Sequence, residues 1–147
     1  MDELELEFEL DARLANDCIV LGDFPLSRLL LMNDSQYPWF ILVPRRAGST
    51  EIYHLSEADR TQLMAESADL AETIADSFRA KKMNIANLGN IVPQLHIHHI
   101  ARTENDPAWP GPVWDKLPAV PYTPERIEEI RLKINSMLNG ELKLLSR

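Results

Sequence analysis

Hydrophobic residues along this chain fall into short blocks whose internal spacing switches between two and about 3.6 residues, the periods of strand and helix. Leu4, Leu6, Phe8 and Leu10 alternate with Glu5, Glu7 and Glu9. That period of two predicts an edge strand or extended arm; a solvated, frayed terminus is the other reading. Asp11 to Asn16 is long enough for one helical turn. Cys18 to Leu21 reads as a short strand, ended by Gly22-Asp23. Leu26 to Met32 and Trp39 to Val43 are two apolar runs. Turn-forming Asn33-Asp34-Ser35 separates them, and Pro38 and Pro44 bracket the second. So short a connection predicts an antiparallel hairpin.

Ser56 is a candidate N-cap, with Glu57 and Asp59 in the first turn. Leu63, Leu70, Ile74 and Phe78, with the small Ser67 among them, form one stripe of a helix over 57–79. Met83 to Leu88 reads as a strand, Gly89-Asn90 as a turn, and Pro93 as the start of the next strand, where a missing N–H costs nothing. Pro107, Pro110 and Pro112 make 103–122 a stiff, extended, aromatic-rich segment. Trp109 and Trp114 within it have three destinations: the core, a dimer interface or a nucleobase. Thr123-Pro124 opens a last amphipathic helix over 124–138, carried by Ile127, Ile130, Ile134 and Met137 and stopped near Asn139-Gly140. The sum is an α+β domain spanning 1–147 with its core over 19–102. It has an antiparallel sheet of about five strands, one long helix across it and a C-terminal helix.

Composition narrows the function. With 147 residues and 45% hydrophobic content, the chain can bury a sizeable core. Its one cysteine, Cys18, excludes a disulfide framework. No apolar run approaches membrane-spanning length, and the acidic Met1-Asp2-Glu3 is no signal sequence. These features predict a cytoplasmic protein. A net charge of −8 argues against nucleic acid as partner. Six of the acids lie in residues 1–11, which contain no Lys or Arg, so the remainder carries only −2. Arg45, Arg46 and Arg102 can therefore still favour a phosphate locally.

The stretch carrying chemistry is Gln94-Leu95-His96-Ile97-His98-His99-Ile100. On a strand, Gln94, His96 and His98 share one face while Leu95 and Ile97 point into a core. Two imidazoles so placed can act together on one phosphate, one attacking phosphorus and the other donating to oxygen. His99 faces away and needs a hydrogen-bond partner of its own. A zinc site from the three histidines is disfavoured. Adjacent strand residues diverge, and no Cys pair or His-Glu-x-x-His element accompanies them.

This stretch resembles the signature of the histidine triad (HIT) superfamily of nucleotide hydrolases and transferases, His-φ-His-φ-His-φ-φ with φ apolar. Here Gln stands in the first His position and His99 in an apolar one. Asn33, Pro44-Arg45-Arg46, Asn84, Gly89-Asn90 and Arg102 fall where such proteins carry similar residues, and the likeness covers Ile19 to Arg102. The tail from Asp106 to Trp114 resembles a bacterial branch described as diadenosine tetraphosphate hydrolase-like. Ala47 stands where many members carry an additional His. The resemblance implies a homodimer with no cofactor or metal, acting on a nucleotide-type small molecule. It implies His96 as nucleophile at the α-phosphorus and His98 as donor to phosphate or leaving group. It gives His96 a hydrogen bond to the carbonyl of residue 94, and Gln94 a neutral donor role. It implies nucleotide contacts from Asn33, Gly89, Asn90, Arg102 and Trp109. Asn33 and Asn90 are equally ordinary turn formers. A nucleotide-binding protein without efficient turnover is the alternative to an enzyme.

Overall fold

The computed structural model describes residues 3–138. Five strands form one antiparallel sheet: β1 (Cys18–Asp23), β2 (Ser27–Met32), β3 (Trp39–Pro44), β4 (Lys82–Ala86) and β5 (Ile97–Arg102). Their order is β1-β2-β3-β5-β4. The expected hairpin pairs Leu31 with Phe40 and Leu29 with Leu42. Strand β5 lies beside β3, with Ile41 opposite His98 and Phe40 opposite His99. On its other side Ala86 faces His98. This register puts the histidine-bearing strand inside the sheet, buried on both faces.

Alternation along the strands divides two cores. Leu29, Leu31, Phe40, Leu42, Ile97 and Ala101 point to one face, under the long helix α3 (Glu57–Phe78) and the last helix α4 (Pro124–Met137). Ser56 caps α3 by accepting from the Asp59 N–H, and Thr123 caps α4 in the same way for Arg126. Leu63, Ser67, Leu70 and Ile74 are the buried stripe of α3, as the period predicts, and Glu66 is buried with them. Its carboxylate accepts from the backbone N–H groups of Leu26 and Ser27 at 2.7 and 3.1 Å, tying the helix to the β1–β2 turn. The proposed stop at Asn139-Gly140 lies outside the described residues.

Leu30, Trp39, Ile41, Val43 and Ile100 point to the other face. Among the described residues, no long helix covers it. The N-terminal segment and the 103–120 loop do, through Phe8, Leu10, Leu14, Ala108, Val113 and Trp114. The N-terminal alternation does not produce a strand. Glu3–Leu6 is a single helical turn, α1, and Leu6 is exposed. Glu5 bonds Arg45 at 2.6 Å and the Leu4 carbonyl accepts from Ala47 N–H, which holds this turn on the loop after β3. The next turn forms α2 (Ala12–Asp17), capped by Asp11.

Strand β4 ends at Ala86, two residues before the expected Leu88, and β5 begins at Ile97 rather than at Pro93 or Gln94. In the lead-in, the Leu95 N–H donates to the Ser49 carbonyl in a loop, so no ladder forms there. The Arg102 side chain, 1% exposed, organises the aromatic loop. It pairs with Asp106 at 2.8 Å, donates to Asn84 Oδ1 at 2.8 Å and reaches the Gly111 carbonyl at 2.7 Å. Asp106 in turn accepts from the Ala108 and Trp109 N–H groups. Burial pushes the Asp106 carboxyl up, but the Arg102 and backbone hydrogen bonds outweigh it and hold it below its usual value.

Candidate active site

His96 and His98 stand side by side on the second face, ring centroids 4.9 Å apart. They open onto a cavity of about 330 Å³. Met32 and Trp39 from the hairpin line it, as do Arg13, Leu14 and Asp17 from α2, the turn from Leu88 to Val92, and Trp114-Asp115. That volume lies within the range of small-molecule sites.

The two rings are in fixed and different states. The His96 Nδ1–H donates to the Gln94 carbonyl at 2.7 Å, since a carbonyl can only accept. Its Nε2 makes no hydrogen bond with any described residue and is left with a free lone pair. The Trp39 Nε1–H donates to His98 Nδ1 at 3.0 Å, and the indole can only donate. The proton of His98 is therefore on Nε2, which donates to the Leu88 carbonyl at 3.1 Å. Burial and the adjacent His96 push His98 down to about 4, so it is uncharged at neutral pH. A protonated His98 assisting a leaving group is thus not the resting state. Burial is the larger cause, and the Trp39 and Trp114 rings, centroids 5.8 and 5.2 Å away, supply much of the apolar surround.

Gly89 fits against this pair because it has no side chain. A Cβ there would lie 2.7 Å from the Val92 carbonyl oxygen and 3.2 Å from His96 Cε1. Asn90 follows it on the cavity wall.

Several expected site residues are elsewhere. The Gln94 side chain does not line the cavity. Its Oε1 accepts from the Asp11 N–H and its Nε2 donates to the Glu9 carbonyl, both at 2.8 Å, so both ends of the amide clamp the N-terminal segment. Asn33 accepts from the Tyr122 N–H at 2.9 Å and is not on the cavity wall. Arg102 is enclosed by its loop, and Trp109 lies over its guanidinium with the centroid 5.8 Å away. Arg45 and Arg46 are engaged by Glu5 and Asp59. Trp114, not Trp109, reaches the histidines. His99 faces away as expected: its Nδ1–H donates to the Ile97 carbonyl, and its Nε2 accepts from the Ser67 hydroxyl at 2.7 Å.

Sequence reasoning missed the wall built by α2 and the part played by Trp39. The Trp39 signal was available in the strand pattern, which puts it on the same face as His98. The α2 wall depends on contacts 78 and 83 positions apart, which no local pattern encodes.

Among the described residues, no group of three or more His, Cys, Asp or Glu is placed to hold a metal ion, and no helix is long and apolar enough to cross a membrane.

Comparison with known proteins bears on this geometry. The HIT domain model matches residues 13–105. A histidine triad protein from Marinobacter aquaeolei VT8 is 50% identical, with a TM-score of 0.87 over 89% of this chain and 96% of that one. One from Sinorhizobium meliloti 1021 is 42% identical, with a TM-score of 0.89 over 91% and 99%. A third, from Bradyrhizobium japonicum, is 39% identical, with a TM-score of 0.87 over 88% and 97%. No curated protein matches. The match over most of the sheet, and three solved histidine triad structures superposing along nearly their whole length, establish that this chain belongs to the HIT family.

Proposed function

We propose that the protein cleaves a nucleotide derivative at its α-phosphate through a covalent nucleotidyl-histidine on His96. The observation that carries this is the state of that ring: Nδ1–H is anchored on the Gln94 carbonyl and Nε2 is unbonded at the cavity. Gln94 then occupies the first triad position, and its backbone carbonyl does what any residue there can do.

In the first step the Nε2 lone pair attacks the α-phosphorus. A P–N bond forms, the bond to the leaving group breaks, and the leaving group departs with that electron pair. In the second step a water oxygen forms a bond to the same phosphorus and gives up a proton to solvent, the P–N bond breaks with its electron pair returning to Nε2, and the nucleoside monophosphate leaves with His96 restored. His98 contributes a neutral N–H to a phosphate oxygen by exchanging its bond to the Leu88 carbonyl. A neutral donor is weaker than an imidazolium, so a good leaving group suits this site. A dinucleoside polyphosphate, whose leaving group is itself a nucleotide, meets that need; a nucleoside phosphoramidate is the other substrate class.

Brief incubation with diadenosine tetraphosphate or adenosine 5′-phosphoramidate, followed by intact-protein mass spectrometry, tests this directly. We expect an adenylyl adduct on the native chain and none on His96→Ala. Bound nucleotide without adduct or turnover would instead favour the second reading, a nucleotide-binding protein. The engagement of both His98 nitrogens is the observation on that side.

A further inference from the structure

The N-terminal segment enters the HIT match at residue 13, and its Arg13, Leu14 and Asp17, at the start of that match, form one wall of the cavity. Four hydrogen bonds, three to the 91–94 stretch and one within the segment, hold it there. The Gln94 amide grips the Glu9 carbonyl and the Asp11 N–H. Asp11 caps α2 by accepting from the Arg13 N–H at 2.8 Å. The Arg13 Nη1 then donates to the Ile91 carbonyl at 2.8 Å, across the cavity rim.

Among the described residues, Arg13 is the only Lys or Arg on the cavity wall, which otherwise carries Asp17 and Asp115 as its charged groups. Without Arg13 the wall would hold two negative charges and no positive one, and would repel a polyphosphate. Apart from Nη1 to Ile91, the guanidinium makes no hydrogen bond or ion pair with described residues. Its remaining N–H groups can bind phosphate oxygens in the bidentate manner that suits arginine.

We infer that Arg13 is the anion-recognising residue of this site, contacting the phosphates beyond the reacting one, and that Gln94 is the positioning residue that fixes its helix. The preferred ligands are then nucleotides with a β-phosphate or longer chain, over those with an uncharged substituent. This rests on the nucleotide site proposed above, but not on turnover.

Calorimetric titration of the full chain with AMP and with ATP, in metal-free buffer, tests it. The native chain should bind ATP more tightly than AMP. Arg13→Gln should reduce that ATP-to-AMP ratio by roughly ten- to a hundredfold, the scale of one or two charge-assisted hydrogen bonds. Gln94→Ala should reduce it in the same direction, because α2 is no longer held. Arg60→Gln, on α3 across the sheet, should leave the ratio unchanged and so controls for net charge. An unchanged ratio in Arg13→Gln, or a native chain binding ATP no tighter than AMP, overturns the inference and leaves the proposed site standing. A native chain binding neither overturns both. An unchanged ratio in Gln94→Ala overturns the positioning role. The adduct experiment reads catalysis separately, so a nucleotide binder without turnover would still show the Arg13 effect.

Discussion

His99, on the helical face of the sheet, spends both ring nitrogens on protein partners, the Ile97 carbonyl and the Ser67 hydroxyl. His96, three positions earlier and on the opposite face, spends one, on the Gln94 carbonyl. The same side chain thus serves as a satisfied core group on one side and keeps one ring nitrogen unbonded, as the proposed nucleophile, on the other. The difference follows from what covers each face. Helix α3 lays a continuous stripe over His99. The face bearing His96 is covered only by a short N-terminal segment and a proline-stiffened loop, with the cavity between them. Burial alone does not separate them, since His96 is 3% exposed and His99 0%. Hydrogen-bond accounting does.

The sharpest way to break this comparison is to delete each ring. His96→Ala should lower turnover by about 10⁶-fold, the scale seen when a nucleophile is lost, with little change in melting temperature. His99→Ala should do the reverse. It should cost about 2–4 kcal/mol in urea unfolding, through the vacated volume and the unpaired Ser67 hydroxyl, and spare the adduct. If both variants lose stability equally, the contrast between the faces is wrong.

A similar contrast applies to arginine. Arg102 is buried against Asp106, whereas Arg13 is exposed at the cavity rim. Arg102→Met leaves a buried carboxylate without its partner and should destabilise by about 3–5 kcal/mol, read by thermal denaturation. An Arg102→Met chain with native stability but weakened nucleotide binding would return this residue to the ligand.

Acid should act on both faces alike, and more gently. Burial pushes both His98 and His99 from 6.5 down to about 4. The unfolded chain binds the proton first, so each ring's stabilisation is complete above about 6.5 and is lost as pH falls toward 4. At ~1.4 kcal/mol per pH unit, that is about 3 kcal/mol per ring. Asp106, whose folded value is depressed, adds stability that is lost only at lower pH, as the carboxyl protonates. The double variant Ser67→Ala/His99→Leu removes a satisfied polar pair together. It should change neutral stability by about 1 kcal/mol or less and halve the slope between pH 6.5 and 4. An unchanged slope would mean that His99 charges freely in the folded chain.

Where the sequence was legible, the signal was local. A 3.6-residue stripe repeated along α3 predicts its buried face, and period-two alternation turns His99 away from His96. The hairpin follows from two apolar runs and a turn. What was not legible depended on distance along the chain. Glu3–Leu6 alternates like a strand but forms a helical turn that gives Glu5 to Arg45, 40 positions away. Asn33, Arg102 and Trp109 hold positions that the family likeness associates with ligand, yet Tyr122, Asp106 and their own loop engage them. Glu66 is not among the stripe residues read from the sequence, yet it is buried, because the β1–β2 turn brings two backbone N–H groups to its carboxylate. Gln94 was expected to face a phosphate because of its neighbours. Its amide instead satisfies two backbone groups from the other end of the domain.

The smallest expected effect concerns the tautomer of His98. The Trp39 indole can only donate, so its bond to Nδ1 forces the His98 proton onto Nε2. Trp39→Phe keeps an aromatic ring in the core but removes that donor. Nδ1 is then left without a partner, costing about 1–3 kcal/mol of stability, and nothing selects between the two neutral forms. The form protonated on Nδ1 cannot donate from Nε2, so turnover should fall by roughly two- to tenfold as the competent population shrinks. Nitrogen-15 NMR of the imidazoles reads this without reference to activity. The native chain at neutral pH should show a single form protonated on Nε2, and Trp39→Phe a mixture. A mixture already present in the native chain would mean that the indole does not set the proton, and that His96 alone has a defined state in this cavity.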